Sequence, residues 1–149
     1  MRKQFGSNWV EADFELVDFG LWVHGREFPS STDYWDGNWL RVTARVETPG
    51  AKVETSGPII RLPELVSFRD GLQELNKALK GEAHLDCLEP DLDITIKCDS
   101  TGHLAITVTI TPDHLLQSHR FTLHADQTIL DSRIASMNKL LSAYPVRNG

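Results

Sequence analysis

Alternation of apolar and polar residues runs through most of the chain and predicts a fold rich in β-strands. The clearest run extends from Leu40 to Val46, where apolar residues alternate with Arg41, Thr43 and Arg45. A period of two places the apolar side chains on one face of a strand and the polar ones on the other. Because burial on one face is typical of antiparallel pairing, the pattern favours antiparallel sheets.

Runs of this kind form two blocks of strands. The first block covers about residues 10–60; it opens with a strand over 10–16 that has one acidic face and ends at Gly57-Pro58. The second block covers about residues 83–125. Turn-forming residues such as Pro49-Gly50 separate the strands within each block, as expected for hairpins.

Between the blocks, a spacing of three and four predicts a helix over about residues 62–80. Pro63 falls in its first turn, where a missing N–H is harmless, and Gly81 follows its end as a helix-terminating residue. The interior glycine, Gly71, suggests that a strand approaches the helix closely there. The apolar stripe consists of Leu65, Phe68, Leu72, Leu75 and Leu79.

A second helix is predicted over about residues 128–144, with Thr128 and Asp131 as a capping pair and Pro145 after its end. The order of strands, helix, strands, helix indicates an α+β fold. We expect one domain over residues 1–149: a curved, mainly antiparallel sheet of about eight strands that could be nearly closed, with two helices packed on it.

Composition narrows the class of function. The net charge is −6 and the pI near 5.4, which argues against direct binding of nucleic acid or an anionic membrane surface. No apolar run reaches the roughly 20 residues that span a bilayer, and the N-terminus lacks the pattern of a signal peptide, so a cytoplasmic location is expected. Cys87 and Cys98 lie in alternating runs as small buried residues; the pattern does not require a disulfide.

Two groups of carboxylates are candidates for binding a partner. Glu11, Asp13 and Glu15 share one strand face, and Asp91 and Asp93 share another. Two acidic faces could together form a surface for a basic protein, and the alternative is a solvated face that serves only solubility.

The residues that often carry catalysis or metals form no recognisable site. His114, His119 and His124 are spaced by five, and an odd spacing on one strand points neighbours to opposite faces. No nucleophile motif or phosphate-binding loop is present. We therefore predict no catalytic residues, no metal, no cofactor and no enzymatic activity.

The segment from Phe28 to Leu40 concentrates three large aromatic residues among polar ones. In one interpretation it caps the open end of the sheet, with Gly37 supplying a positive φ for the turn. In the other it is a hot spot for protein binding; we favour the structural interpretation. Its motif residues are Asp33, Tyr34, Trp35, Asp36, Asn38 and Trp39.

The motif Asp33-Tyr34-Trp35-Asp36-x-Asn38-Trp39-Leu40 resembles that of the WapI family of bacterial immunity proteins. The preceding Gly25-x-x-Phe28-Pro29 and the later Leu88-Glu89-Pro90-x-Leu92 also fit, so the resemblance extends from Phe14 to Ile110.

The resemblance implies a cytoplasmic, non-enzymatic inhibitor that binds the C-terminal toxin domain of a large secreted or surface protein. For the family's namesake that toxin is a nuclease acting on tRNA, and a basic nuclease would suit an acidic partner. A motif common to a family is a poor determinant of specificity, which also favours a structural role for it. The alternative function is a small-ligand-binding protein or enzyme with a pocket under the sheet.

Overall fold

The computed structural model describes residues 1–149 and contains ten strands and two α-helices. The strands are β1 (Arg2–Phe5), β2 (Asn8–Glu11), β3 (Phe14–Leu16), β4 (Phe19–Arg26), β5 (Trp39–Thr48), β6 (Ala51–Arg61), β7 (Gly81–Asp86), β8 (Leu92–Cys98), β9 (His103–Ile110) and β10 (Arg120–Asp126). The helices are α1 (Leu62–Ala78) and α2 (Leu130–Ala143), with short 3-10 turns at Asp36–Asn38 and Gln127–Ile129. All strand pairs are antiparallel, which confirms the predicted α+β class.

The strands form three sheets, so the prediction of one sheet was wrong in this respect. One four-stranded sheet has the order β3-β4-β5-β6, the other β10-β9-β8-β7, and β1 pairs with β2 alone. Helix α1 lies between β6 and β7 in the chain, and these two strands do not pair. None of the sheets closes into a barrel.

A hydrophobic core of 29 buried residues joins both four-stranded sheets and both helices. The alternation that predicted the strands also predicts which face is inside: from Leu40 to Val46, each apolar residue is fully buried. Helix α1 contributes four residues of the predicted stripe, the buried Leu65, Phe68, Leu72 and Leu75, whereas Leu79 lies beyond the helix and is 42% exposed. The core therefore fills the space between the sheets and the helices. Neither helix combines the length and the apolar character needed to cross a membrane.

The predicted strand over residues 10–16 is in fact two strands in different sheets. Val10 on β2 is 41% exposed, whereas Phe14 on β3 is buried. The hairpin of β1 and β2 covers the buried Trp22, whose indole N–H donates to the Val10 carbonyl at 2.9 Å. Alternation continues across the break because both short strands are extended, and sequence periodicity alone therefore does not separate them.

Helix α1 packs on β7 where the sequence has Gly71. A Cβ built at Gly71 would lie 3.3 Å from the Cβ of Ala83, so the close approach predicted there is confirmed. The predicted end of this helix differs, because Leu79 takes the left-handed conformation (φ 53°) and Gly81 already begins β7. Just before the second helix, the Asp126 carboxylate accepts a hydrogen bond from the Thr128 N–H and so caps the 3-10 turn. The sequence pattern had instead indicated Thr128 as the capping residue.

Candidate functional site

A buried arginine lies beneath the aromatic segment. Arg61 ends β6 and is only 6% exposed. Its Cζ atom lies 5.0 Å from the ring centroid of Tyr34, 4.4 Å from that of Trp35 and 5.8 Å from that of Trp39. Its Nη2 donates a hydrogen bond to the Tyr34 carbonyl at 2.6 Å. Three ring faces and a carbonyl thus replace part of the water that the guanidinium loses on burial.

Hydrogen bonds of Asp33 shape the turn of the motif. Its carboxylate accepts from the Asp36 N–H at 2.6 Å and from the Ser31 hydroxyl at 2.9 Å. The Asp36 N–H, followed by the Ser31 hydroxyl, lowers the pKa of Asp33 below its usual range. Gly37 does not have the positive φ that we predicted. A Cβ there would lie 2.7 Å from the Ser31 carbonyl oxygen, so the glycine is required by close approach.

The motif also binds the segment that follows α2. The Asn38 Nδ2 donates to the carbonyls of Tyr34 and Arg147, each at 2.8 Å, and the Asn38 Oδ1 accepts from the Arg147 N–H. The Arg147 Nη1 donates in turn to the Pro29 and Ser31 carbonyls. These bonds indicate a structural role for the buried half of the motif.

The other half of the motif faces solvent. Trp35 is 64% exposed, and Phe28 and Tyr34 are also exposed. Beside them is a surface groove of about 240 Å³. The groove is lined by Glu27, Phe28, Trp39, Pro58 and Glu89.

Glu64 connects the buried arginine to the β7–β8 loop. Its two carboxylate oxygens accept from the N–H groups of Arg61 and Leu88, each at 2.7 Å. Burial raises the pKa of Glu64, and the two N–H donors oppose this shift. Leu88 is 68% exposed. We call the resulting region the aromatic–acidic surface, defined as Glu27, Phe28, Tyr34, Trp35, Trp39, Leu88 and Glu89.

The acidic residues near the N-terminus have partners within the chain. The Met1 amine lies 3.3 Å from a Glu11 carboxylate oxygen and 2.9 Å from one of Glu15. The Asp13 carboxylate, just before β3 begins, accepts from the Val23 N–H at 2.7 Å. The side chain of Glu11 is 68% exposed and that of Glu15 is 36% exposed. The predicted acidic face is thus partly neutralised by the chain itself.

Of the second acidic pair, Asp93 lies on β8 in the other four-stranded sheet and Asp91 lies in the turn just before this strand. No hydrogen bond or ion pair connects them to the first group. Asp91 accepts weakly from the Thr55 hydroxyl at 3.3 Å. An Asp93 oxygen lies 2.6 Å from the His84 Nε2. Asp86 faces Asp93 across the strands, and one ligand atom from each of these three residues lies within 4.8 Å of the others. Imidazole and carboxylates are ligands that zinc accepts, so this trio could hold a divalent cation.

Comparison with known proteins decides the family. The model of the Immunity protein WapI-like family matches residues 10–145. The chain belongs to this family. Among solved structures, one chain of the CdiA-CT/CdiI toxin and immunity complex from Enterobacter cloacae superposes with a TM-score of 0.45 and 13% identity, over 81% of this chain and 99% of that one. Comparison with curated proteins gave no significant match.

Membership of the WapI-like family confirms the resemblance predicted from the motif, and an immunity protein in general has a non-enzymatic role.

Both cysteines are free thiols. Burial, and then the nearby Glu64 carboxylate, raises the pKa of the Cys87 thiol. A thiol that resists ionisation is a poor nucleophile.

Two functional features of this WapI-like protein were missed by sequence reasoning. Arg61 follows the apolar pair Ile59 and Ile60 at the end of a strand, and its burial was not expected because arginine is mostly exposed unless paired. The contact between His84 and Asp93 was missed because it depends on which residues of β7 and β8 lie opposite one another in the sheet. A hairpin alignment of the two runs could have found it.

Proposed function

We propose that this WapI-like immunity protein binds and neutralises a cognate bacterial toxin domain, and that the toxin is a nuclease. The observation that carries the proposal is the family match over residues 10–145. A nuclease needs basic residues to hold the phosphates of its substrate. A chain with a net charge of −6 is complementary to such a surface.

Exposed carboxylates supply part of this complementarity. We assign the predicted residues Glu11, Asp13, Glu15, Asp91 and Asp93 a role in attracting the toxin. The side chains of Glu11 and Asp93, at 68% and 45% exposure, are the most accessible of those with ion-pair partners. Charges at the rim of an interface mainly raise the association rate and make it sensitive to salt.

The test uses the toxin domain encoded next to the gene for this chain. Co-expression of the immunity protein should restore growth of cells that make this domain, and the purified proteins should associate more slowly as salt increases. The double variant E11K/D93K should lower the association rate, whereas reversal of Glu74, an exposed residue of α1, should have a smaller effect. An unprotected host, with no binding in vitro, would contradict the proposed function.

The alternative of a small-ligand-binding protein or enzyme required a pocket under the sheet. The core fills that space, and the largest groove, of about 530 Å³, lies at the surface beside β1 and β5. These observations support toxin binding in preference to the alternative.

A further inference from the structure

We propose that the aromatic–acidic surface is the docking surface for the toxin, and that it receives a toxin loop which places an arginine or lysine side chain between Glu27 and Glu89. This inference rests on the proposed function and adds the site of contact and the chemistry of the partner. It places the centre of the interface away from Glu11, Asp13 and Glu15.

The first argument is the grouping of exposed apolar side chains. Phe28, Tyr34, Trp35 and Leu88 are 47%, 40%, 64% and 68% exposed. Trp39 connects them, because it lines the groove with Phe28 and lies with Tyr34 and Trp35 around Arg61. Single exposed apolar residues are ordinary, but several in one region mark an interaction surface. Tryptophan and tyrosine are also the residue types enriched among binding hot spots.

The second argument is the rigidity of this surface. The Trp35 ring rests on the Arg61 guanidinium and meets the Tyr34 ring edge-on, with 5.9 Å between ring centroids. The hydrogen bonds between Asn38 and Arg147 hold the backbone beneath these rings. Side chains that are already ordered lose little entropy on binding, so more of the contact energy contributes to affinity.

The third argument is the weakly compensated acidic charge in the groove. The Glu27 Oε2 is buried without a hydrogen-bond partner, and its nearest cation, the Arg41 Nε, is 3.7 Å away. The Glu89 carboxylate has no hydrogen bond and no ion pair. A cationic side chain from the partner would pair with both carboxylates and could also stack on Phe28, which lines the same groove.

The other strongly exposed tryptophan lies in the opposite electrostatic setting. Trp9 is 62% exposed, but it borders a groove that contains Arg2, Lys3, Arg45 and Lys52. The Arg2 guanidinium lies over its ring, 5.9 Å from the centroid. Basic residues outnumber the one acidic residue of this groove, Glu47, so it suits a basic toxin loop less well and Trp9 provides a control for Trp35.

The experiment measures the Kd for the toxin domain encoded next to this chain with three pairs of variants. Each pair combines a substitution on the aromatic–acidic surface with a control at the same residue type elsewhere: Trp35→Ala with Trp9→Ala, Leu88→Ser with Leu116→Ser, and Glu89→Lys with Glu74→Lys. Each surface variant should weaken binding at least about tenfold, as truncation of a hot spot does, and each control less than about threefold.

Thermal unfolding of every variant separates loss of binding from loss of fold. Glu89→Lys is decisive if Trp35→Ala unfolds, because the Glu89 carboxylate makes no bond within the chain. If the original chain binds the toxin and all three surface variants bind within about twofold of it, the docking proposal is wrong and the proposed function stands. If the original chain neither binds nor protects, the proposed function is wrong and the docking proposal falls with it.

Discussion

Asn38 pairs with Arg147, 109 positions later, through two hydrogen bonds of 2.8 Å. The Asn38 Nδ2 donates to the Arg147 carbonyl, and the Asn38 Oδ1 accepts from the Arg147 N–H. The arrangement imitates the pairing of two strands, with a side-chain amide in place of one backbone. It fastens the end of the chain to the connection between β4 and β5.

Asn38→Ala should therefore destabilise the fold. The side chain is fully buried, so its loss leaves the Arg147 carbonyl and N–H group without these partners, whereas the Tyr34 carbonyl keeps its hydrogen bond from Arg61. We expect the free energy of unfolding to fall by about 2–4 kcal/mol, since each unsatisfied buried group costs about 1–3 kcal/mol. Urea denaturation would measure this loss. Asn76→Ala, which removes one exposed hydrogen bond to Asp131, should cost less than about 1 kcal/mol.

The fixed orientation of the Arg61 guanidinium gives a second prediction. Arg61→Lys keeps the charge but removes the flat group that the three rings surround, and Arg61→Ala removes both. We expect Arg61→Ala to cost about 2–4 kcal/mol, from a charged hydrogen bond and cation–π contacts, and Arg61→Lys to be intermediate. Arg120→Lys on the exposed face of β10 should be neutral. Equal stability of Arg61→Lys and the original chain would show that the planar geometry has no role.

Local periodicity predicted the elements that depend on neighbouring residues. The alternation from Leu40 to Val46 gave the correct buried face, and the helix from Leu62 was predicted at its observed start. Such patterns suffice because a strand or helix needs only one apolar face to be placed.

Features that depend on distant contacts could not be predicted in this way. The division into three sheets depends on which edges pair, and the same alternating pattern permits one sheet or several. The role of Gly37 depends on the Ser31 carbonyl and that of Asn38 on Arg147. The motif could therefore be recognised as a unit, but its division into a buried half and an exposed half required the tertiary structure.

The backbone of Gly37 leaves no room for a side chain, and Gly37→Ala tests this. The added Cβ would lie 2.7 Å from the Ser31 carbonyl oxygen and 3.3 Å from the Arg147 Cδ. We expect a loss of about 1–3 kcal/mol, as for other overpacked sites, measured by urea denaturation. Ser30→Ala nearby is the control, because Ser30 is exposed and its change adds no atoms. An unchanged stability of Gly37→Ala would mean that the loop can move apart freely.

The hydrogen bonds to Asp33 predict a dependence of stability on acid. Because they hold its pKa in the folded protein below the usual value of 3.8, Asp33 contributes stability above that value. The contribution should be lost as the pH falls from about 4 through the lowered pKa. Asp33→Asn should therefore flatten the decline of stability below pH 4. Asp36→Asn should leave the decline unchanged, because the Asp36 side chain accepts no hydrogen bond. Thermal unfolding at a series of pH values would compare the original chain with the two variants.

Trp22 and Trp39 provide a final comparison of burial with stability. Trp22 is 1% exposed, and its indole N–H bonds to the Val10 carbonyl, whereas Trp39 is only partly buried and has one side in the groove. Trp22→Ala should cost about 3–5 kcal/mol, as for a fully buried aromatic residue, and Trp39→Ala about 2–3 kcal/mol, because part of its surface is already in water. Denaturation of both variants, with Trp9→Ala as the exposed control, should give the order Trp22, Trp39, Trp9. If Trp39→Ala cost as much stability as Trp22→Ala, the contact of Trp39 with Arg61 would have to contribute the difference. The double variant of Trp39→Ala and Arg61→Ala would then lose less stability than the sum of the two single variants.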